Sequence, residues 1–384
     1  MHFSDWMQKV DLTQEIQEVY IHSFLFKLAE SLVAIFIPFY IIQNGFSPVG
    51  VFAFYGIYYL THLAGTVPFG VLATKIGYKH TSLISSIFIL AFYITIRSAE
   101  THPMLYFSAF LGGLGLTIYW MGMNPEVAKS SDDGKTEEET GLFFSMPSIA
   151  SIIAPFTGGL ILAYFTSGVL FLIAAFLMFV SFLPFLLTSE HKDGIDMELR
   201  DLLNRDILKD VFTYFAEGSH TIGRKIMWPL YLATVIGGSV NIGTAGTLLA
   251  MGSAFTSIFV GKIAHERNKA RVIMIGALIS GFTMVLMSQV TSNISAFVIS
   301  ALHGLSYTAV RLPIYSTTIK RAEQKDLMEY FSIREIALSS GRLMTLAVTF
   351  LLFRAYPEDF YMLGFSVVAL GTLMAGFFGG RINS

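Results

Sequence analysis

"YFSIREIALSSGRL", residues 330–343, places Arg334, Glu335 and Arg342 in a stretch that otherwise reads as apolar helix and runs on through "MTLAVTFLLF". In a bilayer each such charge costs several kcal/mol unless it is paired or wetted. Glu335 and Arg342 are two helical turns apart and share a face, while Arg334 lies about 100° away. Other apolar stretches carry the same kind of residue. Lys27 and Glu30 form an i, i+3 pair in "HSFLFKLAESLV". Glu217, His220 and Arg224 make one stripe at i, i+3, i+7, with Lys225 beside it. His303 and Arg311 share a further stretch. Charges placed this way bind a solute in a wetted cavity, exchange partners during a conformational cycle, or act as static clamps. The clamps the spacing allows are Glu335 with Arg311 or Arg342, and Glu217 with Arg224. Glu30, Glu217 and Glu335 are the candidate proton carriers, since each can release a proton when a cation approaches. His22, His220 and His303 titrate near neutrality as free side chains, but a lone membrane histidine is more often a hydrogen-bonded packing residue.

The elements that position these residues must be membrane helices. Of 384 residues, 54% are hydrophobic and 14% charged, with mean hydropathy +0.62, whereas soluble domains carry about 25% charged residues. Apolar runs long enough to cross a bilayer recur along the chain, and sheet edges cannot be left in hydrocarbon. A net charge of −2 offers no basic field for nucleic acid. There is no zinc-type histidine cluster and no phosphate-cradling Gly-Lys-Ser/Thr loop. The absence of cysteine rules out disulfides, thiol catalysis and Cys-ligated metals. No metal, cofactor or enzymatic activity is expected. The N-terminal "MHFSDWMQKVDLTQEIQEVY" is too polar for a cleavable signal peptide.

Twelve spans are predicted, near 17–43, 48–73, 80–99, 103–128, 141–165, 168–188, 212–237, 241–263, 270–289, 293–319, 327–353 and 358–380. With both termini in the cytoplasm, 17 of the 25 Lys and Arg fall on that side and only Arg97 and Arg354 outside, which fixes the expected orientation. Residues 1–188 then form one six-helix bundle and 212–384 another. The polar linker 189–211 between them is either an amphipathic helix on the inner membrane surface or a solvated connection. The acidic run "SSDDGKTEEET" reads as a solvated loop.

The halves repeat. "IPFYII" of helix one answers "WPLYLA" of helix seven, pairing Pro38 with Pro229 and Tyr40 with Tyr231 at an offset of 191. The same offset pairs Gly70 with Gly261, Ala73 with Ala264, Gly113 with Gly304 and Lys129 with Lys320. Two like-oriented six-helix repeats imply an axis along the membrane normal and a solute site between them near the midplane.

At this point the sequence resembles the major facilitator superfamily over essentially its whole length. "GVLATKIGYKH" is similar to that family's signature between helices two and three, with Gly70, Lys75, Gly77 and Lys79 matching and Thr74 at the acidic position. "ASIIAPFTGGL" in helix five resembles the family's antiporter signature, with Pro155, Gly158 and Gly159 intact and Ala154 in place of the first glycine. The arginine that proton-coupled exporters carry in helix four aligns with Ala109, a departure from that reading. The resemblance implies an all-α fold of twelve helices in two pseudo-symmetric bundles. Helices one, four, seven and ten line a cavity, and three, six, nine and twelve face lipid. Gly70, Lys75, Gly77, Lys79, Pro155, Gly158 and Gly159 would serve conformational change.

The buried charges fall on helices one, seven and ten, which line the cavity, and on eleven, which with two, five and eight flanks it, while the lipid-facing helices carry none in mid-span. Tyr119, Trp120, Trp228 and Tyr307 are expected in the cavity wall, and Asn124 and Glu126 either gate its inner end or snorkel to the interface. The implied protein is a secondary active transporter, a monomer in the lipid membrane, driven by a proton or solute gradient. Lys27, Arg224, Lys225, Arg311, Arg334 and Arg342 outnumber the three glutamates, which favours an anionic or zwitterionic small-molecule substrate. The alternatives are a drug or amphipath exporter, a non-transporting receptor, and a lipid flippase on the same fold.

Overall fold

The computed structural model describes residues 14–130, 136–186, 205–263, 268–324 and 326–382, and every regular element among them is a helix. Twelve rods follow in order. The first, α1, spans 14–43 and is interrupted by a 3-10 turn, Ala34–Phe36. It is followed by α2 (Pro48–Ile76), α3 (Tyr78–Ile96), α4 (His102–Ser130), α5 (Thr136–Tyr164) and α6 (Ser167–Ser181). The seventh, α7, spans 205–236, with π turns at Gly223–Met227 and Leu232–Ile236. The last five are α8 (Ser239–Ile263), α9 (Lys269–Met287), α10 (Asn293–Glu323), α11 (Leu327–Ala355) and α12 (Phe360–Ile382).

Ten of these helices are long and apolar enough to cross a membrane by themselves. The other two are α2, diluted by tyrosine and glycine, and α7, which carries its charges and winding breaks in mid-span. Large apolar side chains stand on the outer surface, among them Ile87 on α3, Phe176 on α6, Phe282 on α9 and Leu370 on α12. Such a surface suits lipid and would aggregate in water. The protein is an integral membrane protein.

Contacts repeat from one half to the other. In the first, α1 packs on α5 and α6, α2 and α3 on α4, and α3 on α6. In the second, α7 packs on α11 and α12, α8 and α9 on α10, and α9 on α12. The halves meet where α2 packs on α11 and α5 on α8. The repeat extends to individual bonds. The Tyr40 hydroxyl donates to the Arg97 carbonyl at 2.9 Å; the Tyr231 hydroxyl reaches the equivalent Ser288 carbonyl, 191 residues on, at 3.4 Å, while its shorter bond, 2.5 Å, goes to the Val290 carbonyl. Gly113 leaves room for the Tyr58 carbonyl and Gly304 for the Leu249 carbonyl, again at that offset.

Three boundaries differ from the sequence expectation. Residues 205–211, assigned to the linker for their polarity, already belong to α7, because Asp210 is turned inward and fully buried. Thr136–Thr140 of the acidic run belongs to α5. In "GVLATKIGYKH" there is no loop: α2 ends at Ile76, Gly77 turns the chain at φ +104°, and α3 begins at Tyr78. Only glycine takes that backbone conformation without strain. The rest of the expected linker, up to residue 204, and residues 131–135 lie outside the described residues.

Candidate functional site

A cavity of about 300 Å³ lies between the halves. Its charged lining is Lys27 and Glu30 from α1, Arg224 and Lys225 from α7 and Arg311 from α10. Tyr55, Tyr58 and Tyr59 of α2, Tyr93 of α3 and Tyr307 and Tyr315 of α10 supply phenol rings, with Trp228 on α7. Ser151 and Pro155 of α5 and Ser253 and Ser257 of α8 close the remaining wall.

Local winding explains how α1 and α7 present their charges. Proline has no N–H to bond the carbonyl four residues earlier, so Pro38 frees the Ala34 carbonyl and Pro229 that of Lys225. In α1 the chain tightens into the 3-10 turn that starts at Ala34; in α7 it widens into the π turn that contains Lys225. Single π turns inside helices are frequently found at functional sites.

The ammonium of Lys27 donates to Glu30 Oε2 at 2.7 Å, and that of Lys225, from the other half, donates to Oε1 at 3.3 Å. Glu30 thus bridges the cavity. The guanidinium carbons of Arg224 and Arg311 lie 4.9 and 6.0 Å from the centre of the Tyr307 ring, a cation–π arrangement. Arg311 also pairs with Glu217, 3.9 Å away, so Glu217 does not pair with Arg224 as the helical spacing allowed. Behind Tyr307 stack the rings of His220, at 4.4 Å, and His303, 5.3 Å from His220. Each donates through Nδ1 to a threonine, His220 to Thr372 and His303 to Thr283, because both hydroxyls are already committed as donors to backbone carbonyls. Among the described residues, Nε2 of both histidines, Oε2 of Glu217 and Nε of Arg224 have no hydrogen-bond partner.

A second polar cluster lies in the α2–α11 contact and does not line the cavity. Glu335 accepts from Arg334 at 2.5 Å and from His62 Nε2 at 3.1 Å, with Arg342 at 3.9 Å. His62 Nδ1 is 3.1 Å from the Thr117 hydroxyl. Arg334, Glu335 and Arg342 therefore belong to the seam between the halves, whereas Lys27, Glu30, Arg224 and Arg311 face the cavity.

Elsewhere the expectations divide. Trp228 and Tyr307 line the cavity; Tyr119 and Trp120 do not. Tyr119 turns to stack on Phe26 at 4.0 Å and to bond His22, whose Nδ1 donates to the Ser181 carbonyl. Asn124 accepts from the Tyr315 hydroxyl across the halves at 3.3 Å. Lys75 is exposed on the last turn of α2, but Lys79 is not a surface base: it is 1% exposed, 3.6 Å from the fully buried Glu126. Among the described residues, Thr74, at the signature's acidic position, bonds only the Val71 carbonyl. The neighbouring contact between halves is an apolar cluster of Ala73, Tyr78, Met121 and Met328. Gly70 is buried on α2. Gly158 leaves room for the Leu32 carbonyl of α1, and Gly159 for the Ser239 carbonyl of α8, whose hydroxyl bonds Gly159 O at 3.0 Å. Pro155 lines the cavity and packs on Gly246.

His62 was missed in the sequence, although an ionisable residue in mid-span of α2 was the available signal. Asp210 was missed because its neighbours are polar.

The sequence matches the Major Facilitator Superfamily profile over residues 19–345. The chain belongs to that superfamily. Among solved members, a variant of the E. coli fucose:proton symporter FucP superposes with a TM-score of 0.69 at 17% identity, covering 96% of this chain and 98% of that one. A POT family transporter in complex with a thioalcohol-conjugated peptide gives 0.75 at 11%, covering 96% of each. Protein YqgE of Bacillus subtilis (strain 168) is 21% identical over 312 residues, 76% of this chain and 71% of that one. At these identities the superfamily neighbours establish the twelve-helix fold and leave the solute to the site itself.

Proposed function

We propose that the protein is a secondary active transporter that carries a small anionic or zwitterionic solute by alternating access, with the half that contains α1–α6 rocking against the half that contains α7–α12. The observation that carries this reading is the charge of the cavity: Lys27, Arg224, Lys225 and Arg311 face one lining carboxylate, Glu30. A cleft lined mainly by one sign of charge raises the local concentration of the opposite sign. The phenol and indole walls provide apolar area with few polar handles, as small-molecule sites do. Fucose:proton symport in one structural neighbour and a bound peptide conjugate in another are consistent with a solute of this size. The distribution of Lys and Arg supports both termini in the cytoplasm.

The test is thermal stabilisation of the detergent-purified protein across a panel of metabolites and drugs at two pH values, with Arg224→Ala and Arg311→Ala alongside. Anions stabilise the parent and neither variant, and a stabilising anion is then taken up by proteoliposomes. Stabilisation confined to hydrophobic cations would replace this reading with the exporter; binding without flux would replace it with a receptor.

A further inference from the structure

Away from the cavity, tyrosine hydroxyls are tied to fixed partners: Tyr40 to the Arg97 carbonyl, Tyr214 to Thr318, Tyr231 to the Val290 carbonyl and Tyr330 to Asp210. Four phenols of the first half break this pattern. Among the described residues, the hydroxyls of Tyr55, Tyr58 and Tyr59 on α2 and Tyr93 on α3 have no hydrogen-bond partner. All four residues line the cavity, and their oxygens are not sealed from it.

The rings that carry these hydroxyls form one packed wall. The Tyr58 ring centre lies 6.2 Å from that of Tyr55 and 5.3 Å from that of Tyr59. Phe92, 6.5 Å from Tyr58 and 5.2 Å from Tyr93, carries the wall from α2 onto α3. Gly112 of α4 backs it, since a Cβ there would come within 2.8 Å of the Tyr58 ring and 3.1 Å of the Phe92 ring.

The second half supplies uncommitted cations to the same cavity. Glu30 already occupies Lys27 and Lys225. Among the described residues Arg224 has no carboxylate partner, and its Nε has no acceptor. Arg311 comes no closer than 3.9 Å to Glu217, too far for a hydrogen bond.

We propose that the solute is a polyhydroxylated acid: its carboxylate or phosphate meets the guanidiniums of Arg224 and Arg311, and its hydroxyls meet the phenols of Tyr55, Tyr58, Tyr59 and Tyr93. The proposal rests on the reading of the cavity as an anion site and adds what the rest of the solute carries.

A plain alkyl or aryl body would displace water from four hydroxyls and give them nothing in return. Each polar group stranded in this way weakens binding by about 5- to 150-fold. A body bearing amines would meet Lys27, Arg224, Lys225 and Arg311 with Glu30 as the one lining carboxylate. Hydroxyls suit the wall because each both donates and accepts, as a phenol does. A site built to bond a solute hydroxyl also rejects the analogue that lacks it.

The test compares acids matched in size and differing in hydroxyls, by the concentration dependence of thermal stabilisation of the full-length protein in detergent. Glucuronate is set against cyclohexanecarboxylate, and glucose 6-phosphate against cyclohexyl phosphate, which separates carboxylate from phosphate; methyl glucoside is the neutral control. At least one hydroxylated acid stabilises the parent at a concentration lower than its partner's by about fivefold or more. Tyr58→Phe and Tyr93→Phe each raise that concentration by about 2- to 12-fold, the net value of one hydrogen bond, and leave the unhydroxylated partner unchanged. The two variants lie on different helices, so either one reads the wall if the other does not fold. Equal potency of the paired acids, failure of both hydroxylated acids to stabilise, or phenylalanine variants that weaken both members of a pair alike overturns the proposal. Methyl glucoside acting as well as either acid, with the same loss in Tyr58→Phe, overturns the anion reading of the cavity instead, and with it the acid end of the solute.

Discussion

Nε2 of His62 on α2 lies 3.1 Å from Oε2 of Glu335 on α11, joining the two halves through residues 273 apart in the chain. A carboxylate only accepts, so Nε2 carries the proton and Nδ1 faces the Thr117 hydroxyl. Glu335 also neutralises Arg334, which is 5% exposed. Glu335→Gln removes the charge and leaves Arg334 without its paired anion, at a cost of about 3–5 kcal/mol. His62→Ala costs about 1–3 kcal/mol, the penalty for stranding a buried partner. Chemical denaturation in detergent measures both. In a double-mutant cycle the pair couples by more than about 0.5 kcal/mol, and additive effects would show that the His62–Glu335 bond contributes nothing.

Adjacent glycines on α5 separate stability from conformational change. A Cβ on Gly158 would meet the Leu32 carbonyl within its own half, while one on Gly159 would meet the Ser239 carbonyl of the other half. Gly158→Ala should cost about 1–3 kcal/mol of stability through overpacking. Gly159→Ala should leave the unfolding midpoint closer to the parent's and instead change spin-label distances between α5 and α8, because the halves can move apart there. Equal losses of stability with unchanged distances would refute this division.

How far the sequence reached depends on whether a feature is periodic or three-dimensional. The rods, the repeat and the charged residues of α1, α7, α10 and α11 follow from hydropathy and spacing, since a charge in an apolar run is visible without knowing its partner. Partners are not visible. Helical spacing offered Arg224 to Glu217, but the fold brings Arg311 of α10. Lys79 looked like a loop base because it follows Gly77 and neighbours His80; the inward turn onto Glu126 depends on how α3 packs on α4. Nothing in the order of residues says that Lys225 reaches Glu30, because that contact crosses between halves.

Both cavity arginines lie over the ring of Tyr307. The guanidinium carbons lie 4.9 Å (Arg224) and 6.0 Å (Arg311) from the ring centre. Tyr307→Phe should therefore retain the affinity for a stabilising anion. Tyr307→Ala should weaken it by about 2- to 30-fold, corresponding to about 0.5–2 kcal/mol for a cation–π contact. The concentration dependence of thermal stabilisation reads both variants, and an equal loss in Tyr307→Phe would assign the effect to the hydroxyl.

Asp210 anchors the start of α7 to α10 and α11. It is fully buried and accepts from Arg321 at 2.6 and 2.7 Å and from the Tyr330 hydroxyl at 2.9 Å. The partners differ in access to water, since the Arg321 side chain is 31% exposed and that of Asp210 is 0%. Removing either charge is therefore not equivalent. Arg321→Ala leaves a buried carboxylate with the Tyr330 hydroxyl in place of its guanidinium, costing about 3–5 kcal/mol. Asp210→Asn leaves an arginine that can turn to water and an amide that still accepts from Tyr330, costing about 1–3 kcal/mol. Because all four residues of the Asp210, Arg321, Tyr330 and Tyr214 network lie in one half, the losses should appear in unfolding midpoints and leave spin-label distances between the halves unchanged. The reverse ranking in denaturation, with Asp210→Asn the more damaging, would mean that Arg321 is held away from water and depends on Asp210 for its charge balance.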